Sequence, residues 1–552
     1  MTSRYTSRMH FLLLPLLMSL GDVPATPPAD IAVVCPTDFR GALQPWLQRR
    51  QQQGHVIDFI SNDGNSLQIR ERIRTAAKNG TLQFVLLVGD APPREADDAQ
   101  RARCTPTFRL PSKIDRYWGG EPDFASDNPY ADLDNDGVPE LAIGRLTAHT
   151  TDELTVMIKK ILAYEDSRDF GPWRVRINFV TGEGGFGPLV DATLEVAVRN
   201  AIGCNLPVAY QSTLTDALWR SPFCPDPHQF HRCTLERMNE GCLFWVFMGH
   251  GSPRTLQWAM FPDGSTPILQ CEDCSQLRCS TAPPIALCMC CYTGAFAEKN
   301  DCLAEELLRA PGGPVAVFSG SNVTMPYGMA ALGRQAVHAY FDRRSETLGQ
   351  WLLQAKRDTM TGYDLPIWSL LHAATVAVAP AGFDLKEERR EHLQLFNLFG
   401  DPTMRLAHPQ DVKISAPVTA VAGQSIAVHA ECSIAGSATV ELLTPLDQLQ
   451  VPSRDRYNGS TAGREQFDAV YRAANNTRLA SVNAESKDGA VVAKLPVPAE
   501  AAGKCCLRVF VEGSGDFAVG GCRIQIVPVA SASDNSAEAA VAGRPTEMRS
   551  TQ

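Results

Sequence analysis

Two apolar runs that stop abruptly limit what this chain can fold into. Phe244-Trp245-Val246-Phe247-Met248 ends at Gly249-His250-Gly251-Ser252, and Ile285-Ala286-Leu287-Cys288-Met289-Cys290 ends at Cys291-Tyr292-Thr293-Gly294-Ala295-Phe296. Runs of this length without polar alternation suit strands covered on both faces, as in a parallel sheet flanked by helices. Open α/β sheets carry their ligands and reactive groups at the carboxyl ends of such strands. Delivered there side by side, His250 and Cys291 form a base beside a thiol nucleophile.

The rest of the chain supports that sheet. Ile31 to Val34, His55 to Ile60 and Phe84 to Asp90 read as strands, separated by helices over Ala42 to Gln53 and Leu67 to Lys78. This alternation predicts parallel strands with helical layers. Glu140 to Arg145 adds a strand, and Thr151 to Glu165 a helix capped by Thr150 or Asp152. A second α/β unit follows, with strands at Ile177 to Thr181, Cys242 to Met248, Ile285 to Cys290 and Val315 to Phe318. The helix Cys302 to Arg309 is the crossover between the last two. After Pro409, short alternating segments such as Ser425 to Ala430, Ala438 to Leu443, Ala490 to Leu495 and Cys506 to Val511 predict an immunoglobulin-like β-sandwich. The expected division is a leader at 1–25, α/β subdomains at 30–170 and 171–408, a sandwich at 409–529 and a disordered tail at 530–552.

With 552 residues the chain exceeds one hydrophobic core. A net charge of −10 argues against a nucleic-acid partner. Arg4 and Arg8 precede the short apolar stretch Phe11 to Leu20, and Val23-Pro24-Ala25 follows it, the layout of a secretory leader. No later stretch approaches the ~18 apolar residues of a membrane span, so an exported protein without an integral span is expected. Export permits disulfides among the 17 cysteines, and the odd total leaves at least one thiol unpaired. Cys271, Cys274 and Cys279 lack the histidine or second cysteine pair that would complete a zinc site, which favours local disulfides.

Taken together, these pieces resemble the gingipain family of secreted cysteine endopeptidases. Gly249-His250-Gly251-Ser252 and Cys291-Tyr292-Thr293-Gly294-Ala295-Phe296 match the family's histidine and cysteine elements. Leu87 to Asp90, Tyr130 with the acidic loop leading to Ile143-Gly144-Arg145, Cys302 to Ala310 and Gly400-Asp401-Pro402-Thr403 match flanking elements, in the same order. The resemblance covers roughly residues 30 to 406. It implies a caspase-like α/β/α sandwich in two subdomains, followed by the immunoglobulin-like β-sandwich. It also implies protein or peptide substrates, with Cys291 as nucleophile and His250 as its base. Some family members orient the histidine with an acidic residue of the earlier subdomain, and Glu140 or Asp127 are the candidates here.

The chemistry is consistent with that assignment. A thiol at its reference pKa of ~8.5 is a few per cent thiolate at neutral pH and needs a base. His250 takes the proton and returns one to the leaving amine. The Gly251 amide is the candidate oxyanion donor, and the fold makes the Cys291 amide the second; one such donor contributes about 3–4 kcal/mol. Cys288 and Cys290 lie inside the apolar run and read as packing. No cofactor is expected for catalysis. Asp132, Asp134 and Asp136, followed by Gly137, resemble the opening of a calcium loop, although Ile143 stands where an EF-hand requires Glu. Family members bind calcium, so a structural calcium ion is expected there. The alternative readings are an exported adhesion or binding protein with a non-catalytic peptidase-like domain, and a metal-dependent hydrolase.

Overall fold

The computed structural model describes residues 27–184, 206–361, 383–448, 454 and 456–528, with isolated positions between 361 and 383. The expected leader and the tail at 530–552 lie outside the described residues. One ten-stranded sheet runs through both α/β halves. Its strands are β1 (Ile31–Val34), β2 (Ile57–Ile60), β3 (Phe84–Val88), β4 (Ala142–Leu146), β5 (Arg176–Thr181), β6 (Gln211–Asp216), β7 (Phe244–Met248), β8 (Ile285–Met289), β9 (Ala316–Gly320) and β10 (Phe396–Phe399). Their order across the sheet is β2-β1-β3-β4-β10-β9-β8-β7-β5-β6. Alternation sends Ile31 and Val33 into one core and Ala32 and Val34 into another, which is why these runs carry no polar residue.

Direction matters more than order. The strands β1 to β4 and β10 are mutually parallel, as are β5 to β9. The two sets meet at the antiparallel pair β9 and β10, Val317 opposite Phe399 and Gly320 opposite Phe396. The carboxyl ends of β7, β8 and β9 therefore share a sheet edge with the amino ends of β1 to β4. A hairpin of the first half, Phe108–Pro111 with Asp123–Ser126, packs at that edge. There Ser321 Oγ donates to Ala125 O at 2.6 Å and Asn322 Nδ2 to Ser112 Oγ at 2.8 Å.

The Gly400-Asp401-Pro402-Thr403 element ties the halves together. Buried Asp401 accepts from Trp46 Nε1 (2.5 Å) and Arg50 Nη2 (2.6 Å), while Arg50 also holds Glu165. Burial of such a network is tolerable because each charge meets an opposite one.

The C-terminal domain is the expected immunoglobulin-like sandwich, built from a nine-stranded sheet around its own core. Its strand Ser425–Glu431 alternates exposed and buried residues along its length. One element was not expected, the helix Thr461–Asn475 inserted between Gly436–Leu443 and Arg478–Lys487. It covers the edge strand β6 of the large sheet. Asn475 accepts from Leu214 N at 2.8 Å and donates to Leu214 O at 2.9 Å, occupying backbone groups an edge leaves open. Tyr471 OH meets Thr215 Oγ1 and Arg237 Nε, each at 2.8 Å.

The disulfide expectation is corrected: every described cysteine is a free thiol. Cys271, Cys274 and Cys279 pack in the main core as small apolar side chains, and Cys279 Sγ donates to Gly312 O at 2.7 Å.

Candidate active site

Strands β7 and β8 are adjacent and parallel, with Met248 opposite Met289. Two residues further along each chain come His250 and Cys291, so the strand register delivers both to the same level of one sheet edge. Gly249 N reaches back to Met289 O at 3.5 Å, extending the pairing. Beyond it, the histidine loop lies directly on the cysteine turn. A Cβ built on Gly251 would stand 2.6 Å from Cys291 O and 3.0 Å from both Cys290 Sγ and Thr293 Cγ2, so only glycine permits this approach. The loop closes on itself through Gln257, whose amide donates to His250 O at 3.0 Å and whose Oε1 accepts from His250 N at 3.4 Å.

The cysteine turn is held in an uncommon conformation. Tyr292 has φ 59°, a left-handed region that costs a non-glycine residue on the order of 1 kcal/mol or more. Surrounding bonds fix it: Tyr292 N donates to Asn322 O (3.0 Å), Thr293 N to Cys291 O (2.7 Å) and Gly294 N to Gly320 O (2.9 Å). Thr293 Oγ1 bridges Ser319 Oγ at 2.7 Å and Cys290 Sγ at 3.2 Å.

Among the three neighbouring thiols, Cys288 and Cys290 are fully buried, and burial pushes Cys288 up to about 12 and Cys290 upward as well. Cys291 is half-buried. Its sulfur receives the Thr324 amide at 3.3 Å and has Thr324 Oγ1 at 3.6 Å. Exposure and a backbone amide donor distinguish Cys291 from the two packing thiols.

The acidic candidates lie elsewhere. Glu140 accepts from Leu133 N at 2.5 Å, inside the acidic loop, and is raised chiefly by burial. Asp127 is taken by the buried guanidinium of Arg145 at 2.7 Å and by Thr107. Among the described residues, no hydrogen bond joins the carboxylate of Glu140, the expected orienter, to His250. Sequence reasoning passed over Glu183, two residues beyond the end of β5, the strand beside β7. Burial raises its carboxyl above the usual range, Oε1 accepts from Met260 N at 3.2 Å, and its carbonyl accepts from Gln257 Nε2 at 3.0 Å. The signal available was Phe179-Val180-Thr181-Gly182-Glu183, another apolar strand ending in glycine and a chemically active residue.

Among the described residues, two groups have ligand atoms within 4.8 Å of one another: Asp132 with Asp134 and Asp136, and Asp90 with His149 and Asp301. In the acidic loop, Asp132 accepts from the Asn135 and Gly137 amides, and Arg70 Nη2 lies 3.6 Å from its carboxylate. In the second group burial pushes Asp301 up, yet His149 and Arg309 outweigh it and hold the carboxyl down to about 2. Asp263, on the hairpin after the histidine loop, is engaged by Tyr457 OH at 2.6 Å and His228 Nε2 at 3.3 Å.

Residues 25–407 match Peptidase family C25. The chain belongs to that family. It is similar to Gingipain R2 of Porphyromonas gingivalis, 22% identical over 403 residues, covering 70% of this chain and 47% of the relative. Lys-gingipain of the same organism is 23% identical over 315 residues, covering 56% and 16%. The chain thus spans about half the length of the first of these relatives, and less of the second. The fold is shared with the crystal structure of the Arg-specific cysteine proteinase gingipain R, at TM-score 0.51 and 16% identity, covering 92% of this C25 chain and 99% of that one.

Proposed function

We propose that this C25-family chain is a cysteine endopeptidase acting through Cys291 and His250. The observation that carries the reading is the β7–β8 register, which brings a half-buried thiol and an imidazole to one edge with Gly251 pressed on the Cys291 carbonyl. The Cys291 sulfur attacks the scissile carbonyl carbon, and the Gly251 and Cys291 amides receive the oxyanion. His250 takes the thiol proton and delivers it to the departing amine, leaving a thioester. Water, deprotonated by His250, then hydrolyses the thioester and restores the thiol. Glu183 braces the His250 loop in this scheme, its backbone carbonyl accepting from Gln257 Nε2 and its carboxylate from Met260 N. Labelling with an electrophilic peptide probe should modify residue 291, and Cys291→Ala should lose peptidase activity. Full activity in that variant would sink the proposal.

Export is part of the proposal, resting on the leader-like residues 1–25; among the described residues no helix is long and apolar enough to cross a membrane. Basic residues before the cut are the first substrate class to test, given the specificities named for the relatives. Asp263 is not offered as the pocket floor, because Tyr457 and His228 already occupy it. We also propose a structural calcium ion at Asp132, Asp134 and Asp136. Their converging oxygens suit a hard cation, although Arg70 already supplies part of the positive charge. Calcium should raise the melting temperature, and Asp134→Asn should abolish the rise. An unchanged melting temperature in the parent protein would remove the ion.

A further inference from the structure

The helix Pro326–Phe341 starts at a residue unable to cap it. Met325 occupies the N-cap with extended backbone, and its side chain makes no capping hydrogen bond. The third helical residue is Gly328, which has no side chain to reach back with. A capping box needs two bonds, one accepted from the third amide and one from the N-cap amide. Both exist here, supplied by another helix. On Leu385–Leu395, Glu388 Oε1 accepts from Gly328 N and His392 Nε2 accepts from Met325 N, each at 2.8 Å. Four residues apart, the two side chains share one face of their helix, and both are fully buried. A Cβ on Gly328 would lie 2.5 Å from His392 Cγ and Nδ1, so the absent side chain is also what admits the imidazole.

The capped end points at the reactive thiol. Thr324, immediately before the N-cap, donates its amide to Cys291 Sγ at 3.3 Å. The same loop receives Tyr292 N on Asn322 O, which fixes the strained turn. A helix amino terminus carries partial positive charge, and a thiol placed there ionises more readily.

We propose that His392 is a positioning residue for the nucleophile: capping the helix from outside, it holds the Thr324 amide on the Cys291 sulfur and favours the thiolate. The role requires a neutral imidazole with its Nε2 lone pair directed at Met325. Nδ1 donates to Glu388 O at 2.8 Å, which selects that tautomer. Burial, which pushes the imidazole down to about 4, keeps it neutral at working pH.

This inference rests on Cys291 being the nucleophile, and its test does not need peptide cleavage. In the full-length protein, the rate of iodoacetamide alkylation at residue 291, followed by mass spectrometry against pH, reports the thiolate directly. His392→Leu should move that profile up by about one pH unit, and His392→Gln, which keeps an acceptor at similar reach, should restore it. An unmoved profile in folded His392→Leu overturns the proposal, and so does a shift that His392→Gln fails to reverse, since packing alone would then explain it. If His392→Leu does not fold, long-range ¹⁵N spectra of the unaltered protein decide the matter: an Nδ1–H tautomer supports the cap, and an Nε2–H tautomer overturns it. Loss of the peptidase reading would show separately, as a wild-type chain that cleaves nothing.

Discussion

Gly251→Ala is the substitution whose outcome the structure specifies most fully. Gly251 does not have a positive φ, so alanine meets no backbone penalty there. The added methyl would stand 2.6 Å from Cys291 O, where ordinary contact begins at 3.4 Å; the difference, 3.4 − 2.6 = 0.8 Å, must come from movement of one backbone against the other. Little can give way, because the Cys291 carbonyl is held by Thr293 N at 2.7 Å and the histidine loop is closed through Gln257. A displacement approaching 1 Å between nucleophile and base costs on the order of 10²-fold in rate. Moving the Gly251 amide off the proposed oxyanion site adds to that, up to about 3–4 kcal/mol if the donor is lost entirely. The expected result is a fall of about 10²-fold or more in kcat/KM on a peptide ester, with the protein still folded. Gly333→Ala is the control, since its methyl would meet only Met289 Cε at 3.8 Å. A Gly251→Ala enzyme within about threefold of the parent, with unchanged alkylation at Cys291, would show that the loops are not in the contact described.

Three further outcomes follow from individual contacts. Buried His392 is pushed down to about 4 from an unfolded value near ~6.5, so the unfolded chain binds the extra proton and stability falls as pH drops from about 6.5 toward 4. Buried Glu388, pushed up to about 8, works oppositely between about 4.3 and 8, so the two nearly cancel below pH 6.5 in the parent protein. His392→Gln removes only the first contribution and should gain roughly 3 kcal/mol relative to the parent between pH 7 and 4.5 in denaturant titrations; parallel curves would contradict the neutral imidazole. Asn475→Ala should cost about 1–3 kcal/mol, because it strips the Leu214 backbone of both partners at the sheet edge, and a stability unchanged within ~0.3 kcal/mol would mean that water replaces the amide freely. Glu183→Ala should cost about 0.5–1.5 kcal/mol in denaturant titrations, because it removes the acceptor of the Met260 amide; a stability unchanged within ~0.3 kcal/mol would mean that water replaces the carboxylate freely.

The strands β7 and β8 were legible because burial on both faces removes every polar residue from a run, and their ends were legible because glycine beside a reactive side chain is rare inside a strand. What the pattern could not convey was direction. Phe396-Asn397-Leu398-Phe399 reads as a closing strand, yet nothing in it records that it runs antiparallel to β9 and so turns one half of the sheet over. Glu140 shows a separate limit: its carboxylate accepts from Leu133 N inside the acidic loop, a contact set by loop geometry that the strand pattern does not record. The inserted helix Thr461–Asn475 is a different case. Its buried residues Gly463, Phe467, Tyr471 and Ala474 are spaced four, four and three apart, a readable helical stripe, but it is too narrow to stand out among polar neighbours.

The external cap marks where sequence reading stops. Hydrogen-bond demand is local and can be read: a helix opening Met325-Pro326-Tyr327-Gly328 has no side chain that satisfies its first amides, so a donor pair beside Thr324 must find acceptors somewhere. Supply is set by the fold. Glu388 and His392 lie 60 and 67 residues further along the chain from the amides they receive, on a helix whose sequence looks like an ordinary charged surface segment. The deficit was visible in the chain and its remedy was not. An unsatisfied helix start next to a candidate nucleophile is therefore a place to look for a buried acceptor from another element, and here that acceptor sits one residue away from the amide that touches the sulfur.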